Sequence, residues 1–125
     1  KEIPSDIIYE SKDFTAVLDI NPVNKGHILI LIKDHCRNLT DFPENKGKEF
    51  ISFAKKISKV LVKATNADGF NLSMNNEAPA GQMIFHAHFH LIPRFKNDGL
   101  RHWPHKQYLE GEKEKLAAKI KKLIS

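Results

Sequence analysis

The stretch Ile84-Phe85-His86-Ala87-His88-Phe89-His90-Leu91-Ile92-Pro93 decides how this chain is read. Read as a β-strand, its successive side chains point to opposite faces. The imidazoles of His86, His88 and His90 then share one face, and Phe85, Ala87, Phe89 and Leu91 share the other. The first face is a chemical surface and the second is core. Imidazole serves as nucleophile, acid, base or metal ligand near neutral pH. A lone histidine on a strand is ordinarily a hydrogen-bonded structural residue. Three at period two must each find partners once removed from water. Two chemical readings stand side by side. One is a metal site, since His-x-His on a strand offers two nitrogens to one ion. The other is a nucleophilic histidine flanked by histidines that bind the substrate's charge.

Outward from this stretch, periodicity predicts the remaining elements. Ile7–Glu10 and Phe14–Asp19 read as short strands, rich in β-branched and aromatic residues. Asn21-Pro22 turns the chain. His27–Ile32 is a third strand, so continuously apolar that both its faces are expected to be covered. A helix is predicted from about Gly47 to Ala64, with Phe50, Phe53, Ala54, Ile57, Val60, Leu61 and Ala64 as one apolar stripe. Asn66-Ala67-Asp68-Gly69 ends it. Phe70–Met74 is a fourth strand, Asn75–Gln82 a polar loop, and Ile84–Pro93 the fifth strand. A C-terminal helix from about Gly111 carries Leu116, Ile120, Leu123 and Ile124 on one side. The order argues for an α+β fold, a mostly antiparallel five-stranded sheet with the long helix on one face.

A chain of 125 residues is expected to form one domain with one core. The longest apolar stretch, Ile28 to Ile32, is far too short to span a membrane, and the opening residues do not read as a secretory signal. Cys36 is the only cysteine. It excludes an internal disulfide and fits a reducing, cytoplasmic compartment. The net charge of +5 favours anionic ligands without indicating nucleic acid. The lysines at 55, 56, 59 and 63, and those at 113, 115, 119, 121 and 122, read as solvated helix faces.

Other polar residues stand at strand ends and in tight loops, where sites are commonly built. Asp19 closes the second strand, His27 opens the third, Asn75 ends the fourth, and Gly81-Gln82 leads into the histidine stretch. Taken singly, each has a structural explanation as a turn cap, strand start or turn former. Taken together, they resemble the histidine-triad (HIT) family of nucleotide-binding hydrolases and transferases. The family's His-φ-His-φ-His-φ-φ pattern, with φ apolar, stands here as His86-Ala-His88-Phe-His90-Leu-Ile. Asp19-Ile20-Asn21-Pro22, Gly26-His27, and Asn75 six residues before Gly81 also match. The opening Glu2-Ile3-Pro4-Ser5-Asp6-Ile7-Ile8-Tyr9-Glu10 is similar to that of small bacterial-type members.

The resemblance implies a HIT-like fold and a homodimer whose two sheets join at an edge. It implies that His88 is the nucleophile, attacking an α-phosphorus to form a nucleotidyl-histidine. His90 and Gln82 match phosphate-contacting residues, His27 a fourth histidine that supports the charge arrangement, and His86 the histidine that holds His88. Asp19 and Asn75 match residues gripping the ribose and the edge of the phosphate site. Ile20 matches an apolar wall beside the nucleoside. A neutral imidazole suits the chemistry, and N–H donors from Gln82, His90 and the backbone after Gly81 are expected to stabilise phosphoryl charge.

Two departures bear on this. Met83 stands where many relatives carry Ser or Thr, which removes a hydroxyl near the phosphate. Many bacterial-type relatives also hold a structural zinc with an upstream Cys-x-x-Cys pair and two histidines, matched here by His35 and His86. With Cys36 the only thiol, these residues do not supply a closed four-ligand site, and neither metal nor cofactor is expected. The leading expectation is a hydrolase acting on AMP-linked phosphoramidates or related purine nucleotide conjugates. A dinucleoside polyphosphate hydrolase comes second. A nucleotide-binding regulatory module with little turnover and an H-x-H metalloenzyme are the other classes. No membrane or nucleic-acid partner is expected.

Overall fold

The computed structural model describes residues 6–125, so the opening residues 1–5 that contribute to the family resemblance lie outside it. Five strands form one sheet: β1 (Ile7–Glu10), β2 (Phe14–Leu18), β3 (Ile28–Ile32), β4 (Gly69–Ser73) and β5 (His88–Arg94). Their spatial order is β1-β2-β3-β5-β4, and every neighbouring pair is antiparallel. Helix α1 (Gly47–Thr65) connects β3 to β4, and α2 (Glu112–Ile124) ends the chain. The fold is the α+β arrangement expected from the sequence.

Register explains the two faces. Ile30 pairs with Phe89 and Ile28 with Leu91, whereas Leu31 pairs with His88 and Leu29 with His90. Paired residues share a face, so one side of the sheet carries Ile28, Ile30, Phe89 and Leu91. There α1 lays Phe50, Phe53, Ala54, Ile57 and Leu61 against Phe14, Ala16, Ile28, Ile30, Ile32 and Leu91. The other side carries a smaller cluster, Val17, Leu29 and Leu31, beneath the two histidines. Every residue of β3 is buried, as its unbroken apolar run requires. The helix ends where Asn66 takes a left-handed conformation (φ 59°) and returns its N–H to Val62 O.

The structure departs from the periodic reading in three places. β5 begins at His88, so His86 lies ahead of the strand and the three histidines do not form one continuous ladder. Phe85 is half exposed beneath the Arg37 guanidinium, 4.4 Å from its ring centroid, and adds nothing to the core. Val60 and Ala64 are also exposed, because α1's buried stripe is narrower than the apolar pattern.

Candidate active site

β3 and β5 place His88 and His90 side by side on the face away from α1, with ring centroids 5.2 Å apart. The rings line a cavity of about 350 Å³, within the usual range for small-ligand sites. Asp19, just beyond β2, and Gly81, in the loop before β5, complete its polar rim. Leu29 forms part of its wall, and Ile20, Met83 and Ile84 supply an apolar side. Met83 is 85% exposed and Ile20 64% exposed, large apolar groups held open at the mouth.

The protons on these rings follow from their partners. His88 Nδ1 lies 2.7 Å from His86 O, a carbonyl that can only accept. In the neutral ring Nδ1 therefore carries the hydrogen and Nε2 keeps its lone pair. His86 thus holds His88 through its backbone, while its own Nε2 donates to Ile32 O at 2.6 Å. That side chain is not part of the cavity lining.

A second chain of bonds fixes His90. The Val23 N–H donates to His27 Nδ1 at 3.1 Å, so the hydrogen of a neutral His27 sits on Nε2. His27 Nε2 is 3.0 Å from His90 Nδ1, to which it donates. The hydrogen of His90 is left on its own Nε2. Burial, with His88 and His27 close by, holds the His90 pKa down to about 4. Burial lowers that of His27 as well, against the pull of Asp19. Both rings are therefore neutral near pH 7. One cavity thus contains an imidazole with an open lone pair beside one whose remaining hydrogen bond is a donor.

Asp19 lies near this pair. Its Oδ1 accepts from Asn21 N at 2.9 Å and its Oδ2 is 3.7 Å from His27 Nε2. Among the described residues, Asp19, His27 and His90 form the group that brings three ligand atoms within 4.8 Å. An ion there would have to displace the His27 Nε2 hydrogen. The ring would then turn an Nδ1–H against the Val23 N–H, so the bonded set is built around a proton.

Gln82, expected at the phosphate, makes its side-chain bonds to the protein itself. Its side chain is buried, accepts from Glu77 N at 2.7 Å, and donates to Arg37 O at 2.7 Å and Ile84 O at 3.0 Å. Both amide hydrogens are used on these carbonyls, and the residue braces the loop. The N–H groups of Gly81 and Gln82 are likewise committed, to Ala78 O and Glu77 O. Gly81 has φ +99°, and a Cβ there would meet Asn75 Nδ2 at 3.3 Å, so glycine lets Asn75 close on the cavity rim. Asn75 itself sits behind Gly81, outside the lining.

Sequence reasoning missed the loop's anchor. Glu77 has φ 77° and ψ 157°, a conformation costly for any side chain. Arg37 holds it through two bonds of 2.6 and 2.7 Å, and Asn38 adds a third. The paired guanidinium keeps the Glu77 carboxyl below its ordinary pKa. Nothing in residue spacing signals a contact across 40 positions.

The HIT domain family model matches residues 1–97. An uncharacterised HIT-like protein of Methanocaldococcus jannaschii is 44% identical over 98 residues, 78% of this chain and 75% of that protein. The adenosine 5'-monophosphoramidase HNT1 of Saccharomyces cerevisiae is 44% identical over 93 residues, 74% of this chain but only 56% of the yeast protein. Among solved structures, SMU.412c from Streptococcus mutans UA159 superposes with a TM-score of 0.87 at 40% identity. The match covers 98% of this chain and 79% of the other.

Proposed function

The chain belongs to the histidine-triad family, and from its cavity we propose that it is a nucleotide hydrolase or transferase cutting AMP-linked phosphoramidates through a histidine nucleophile. The observation that carries this reading is the pairing of a free His88 Nε2 with the donor His90 Nε2–H. His88 Nε2 attacks the α-phosphorus as the bond to the leaving amine breaks, and the amine leaves with a proton from solvent. The bond formed is a nucleotidyl-histidine. Water then attacks the same phosphorus, releases AMP and restores neutral His88. The His90 N–H donates to a non-bridging oxygen, where charge rises in both steps. A neutral His90 suits this task, since it holds one hydrogen in a fixed direction.

The remaining contacts follow from the lining. Asp19 accepts from the ribose hydroxyls, and Ile20, Met83 and Ile84 cover a purine base. The yeast relative's named activity supports an amine leaving group.

The reading includes a homodimer and a single domain over residues 1–125. β4 is a sheet edge with Phe70 and Leu72 exposed. Beside it lies an apolar groove of about 500 Å³ lined by Ile51, Ala54, Val62 and these two residues. β5 ends at Arg94, opposite Gly69, so the chain leaves the sheet next to the start of β4. Beyond it α2 exposes Leu116, Ile120, Leu123 and Ile124. A helix of 13 residues is marginal alone in water, and a second copy joined at β4 would cover it. No helix among the described residues is long and apolar enough to cross a membrane.

A turnover screen tests the activity, with adenosine 5'-phosphoramidate beside diadenosine polyphosphates. Release of AMP from the phosphoramidate, lost in His88→Ala, is the expected result. Turnover of the polyphosphates alone would move the assignment to the second substrate class. Binding without turnover of either would make the protein a sensor.

A further inference from the structure

The direction of the His90 hydrogen depends on a turn that never touches the cavity. Val23 N–H reaches His27 Nδ1 only while residues 22–25 keep their shape. Two backbone bonds close that turn, His27 N to Asn24 O at 3.0 Å and Asp19 N to His27 O at 2.9 Å. Its tip is fastened from outside. Asn24 Nδ2 donates to Pro93 O at 2.8 Å and to Asp98 Oδ2 at 3.1 Å, which uses both amide hydrogens.

Asp98 is itself held firmly. Arg94 donates to it from Nε at 2.8 Å and from a terminal nitrogen at 3.1 Å. The N–H groups of Phe95 and Leu100 add two further bonds, each 3.1 Å. These donors hold its carboxyl far below the ordinary carboxylate range. Asp98 is therefore a fixed, charged acceptor at the end of the strand that carries His88 and His90. Through Asn24, the same strand end sets the turn that addresses His27.

Resting on the histidine-nucleophile reading, we propose that Asn24 and Asp98 are positioning residues that set the histidine tautomers. Their clamp keeps Val23 N–H on His27 Nδ1, which keeps the His27 hydrogen on Nε2 and so leaves the His90 hydrogen on its own Nε2. Without the clamp, the turn loosens and His27 also adopts the Nδ1–H form. Its Nε2 then accepts, His90 Nδ1 takes the hydrogen, and His90 offers the substrate a lone pair instead of a donor. That lone pair opposes the negative phosphoryl oxygen it should stabilise. The effect is greatest where charge is greatest, in the transition state, and so falls on kcat more than on KM.

The test uses the full chain labelled with ¹⁵N-histidine and read by long-range ¹H–¹⁵N correlation at pH 7.5, beside kinetics on adenosine 5'-phosphoramidate. In the parent, Nδ1 of both His27 and His90 should show unprotonated shifts, and both Nε2 protonated ones. In Asn24→Ala the two rings should show mixed tautomers. Its kcat should fall about tenfold with KM within about twofold, a part of the roughly 10²- to 10³-fold loss on removing such a donor outright. Asp98→Asn keeps an acceptor oxygen for Arg94 but weakens the clamp, and should give a smaller shift in the same direction. It also carries the test if Asn24→Ala does not fold. Unchanged tautomers in the folded variants overturn the proposal, even if kcat falls, because the clamp is then merely structural. An Nδ1–H on His27 in the parent overturns it as well. If the parent shows the expected tautomers but does not turn over the phosphoramidate, the activity reading fails and the tautomer assignment stands.

Discussion

His90 links burial to acid sensitivity. In the unfolded chain its pKa returns to about 6.5, whereas the folded ring resists protonation down to about 4. Above pH 6.5 both states are neutral and the residue has no effect on the pH dependence. Between pH 6.5 and 4 the unfolded chain takes up a proton that the fold refuses, so stability falls as pH falls. Across that window this residue makes the fold progressively less stable, an effect that solvent reaching the partly exposed ring reduces. Urea unfolding at pH 7 and pH 4.5 should show a smaller acid loss in His90→Asn than in the parent; equal losses would contradict the assignment. Asp19→Ala should raise KM for the ribonucleotide substrate more than it lowers kcat, by the equivalent of about 1–3 kcal/mol. Equal parent kinetics on ribose and deoxyribose substrates would refute the ribose contact. The sequence made the imidazoles and Asp19 legible as chemical types. It did not reveal which nitrogen holds each hydrogen, because that depends on backbone partners such as Val23 N–H and His86 O.

The loop between β4 and β5 is held by Gln82, and this bracing is open to test. Removing the side chain in Gln82→Ala breaks three bonds and should cost about 2–4 kcal/mol in urea unfolding. Gln82→Glu should cost at least as much, since a carboxylate would face the carbonyls of Arg37 and Ile84. Variants as stable as the parent but with a raised KM would return Gln82 to the phosphate site. The sequence placed strands and helices well where they bury apolar residues, as in β3 and α1. It placed the start of β5 four residues early. Alternation shows what a segment prefers, not where its partner strand stops. β3 pairs as far as Leu31–His88; beyond it, Ile32 pairs with Phe14 and its carbonyl also accepts the His86 side chain. Ala87 N turns instead to Cys36 O, and the ladder ends there.

At the scale of the whole molecule, the proposed second copy would pair at the edge of β4 and cover the apolar stripe of α2. Sedimentation at micromolar concentration should give a dimer, and Phe70→Asp with Leu72→Asp should give monomers. A monomeric parent would refute the assembly. The periodicity of α2 was legible, but its apolar residues stay exposed among the described residues, so no packing partner could be read from the sequence. The site's chemistry is read most directly on the intact protein. Parent protein mixed with adenosine 5'-phosphoramidate and quenched in base should gain the mass of one adenylyl group. The adduct should be lost in acid, since phosphoramidates survive alkali better than acid. Peptide mapping should place it on His88, and His88→Ala should fold, bind AMP and form none. An adduct on any other residue, or turnover by His88→Ala, would contradict the account.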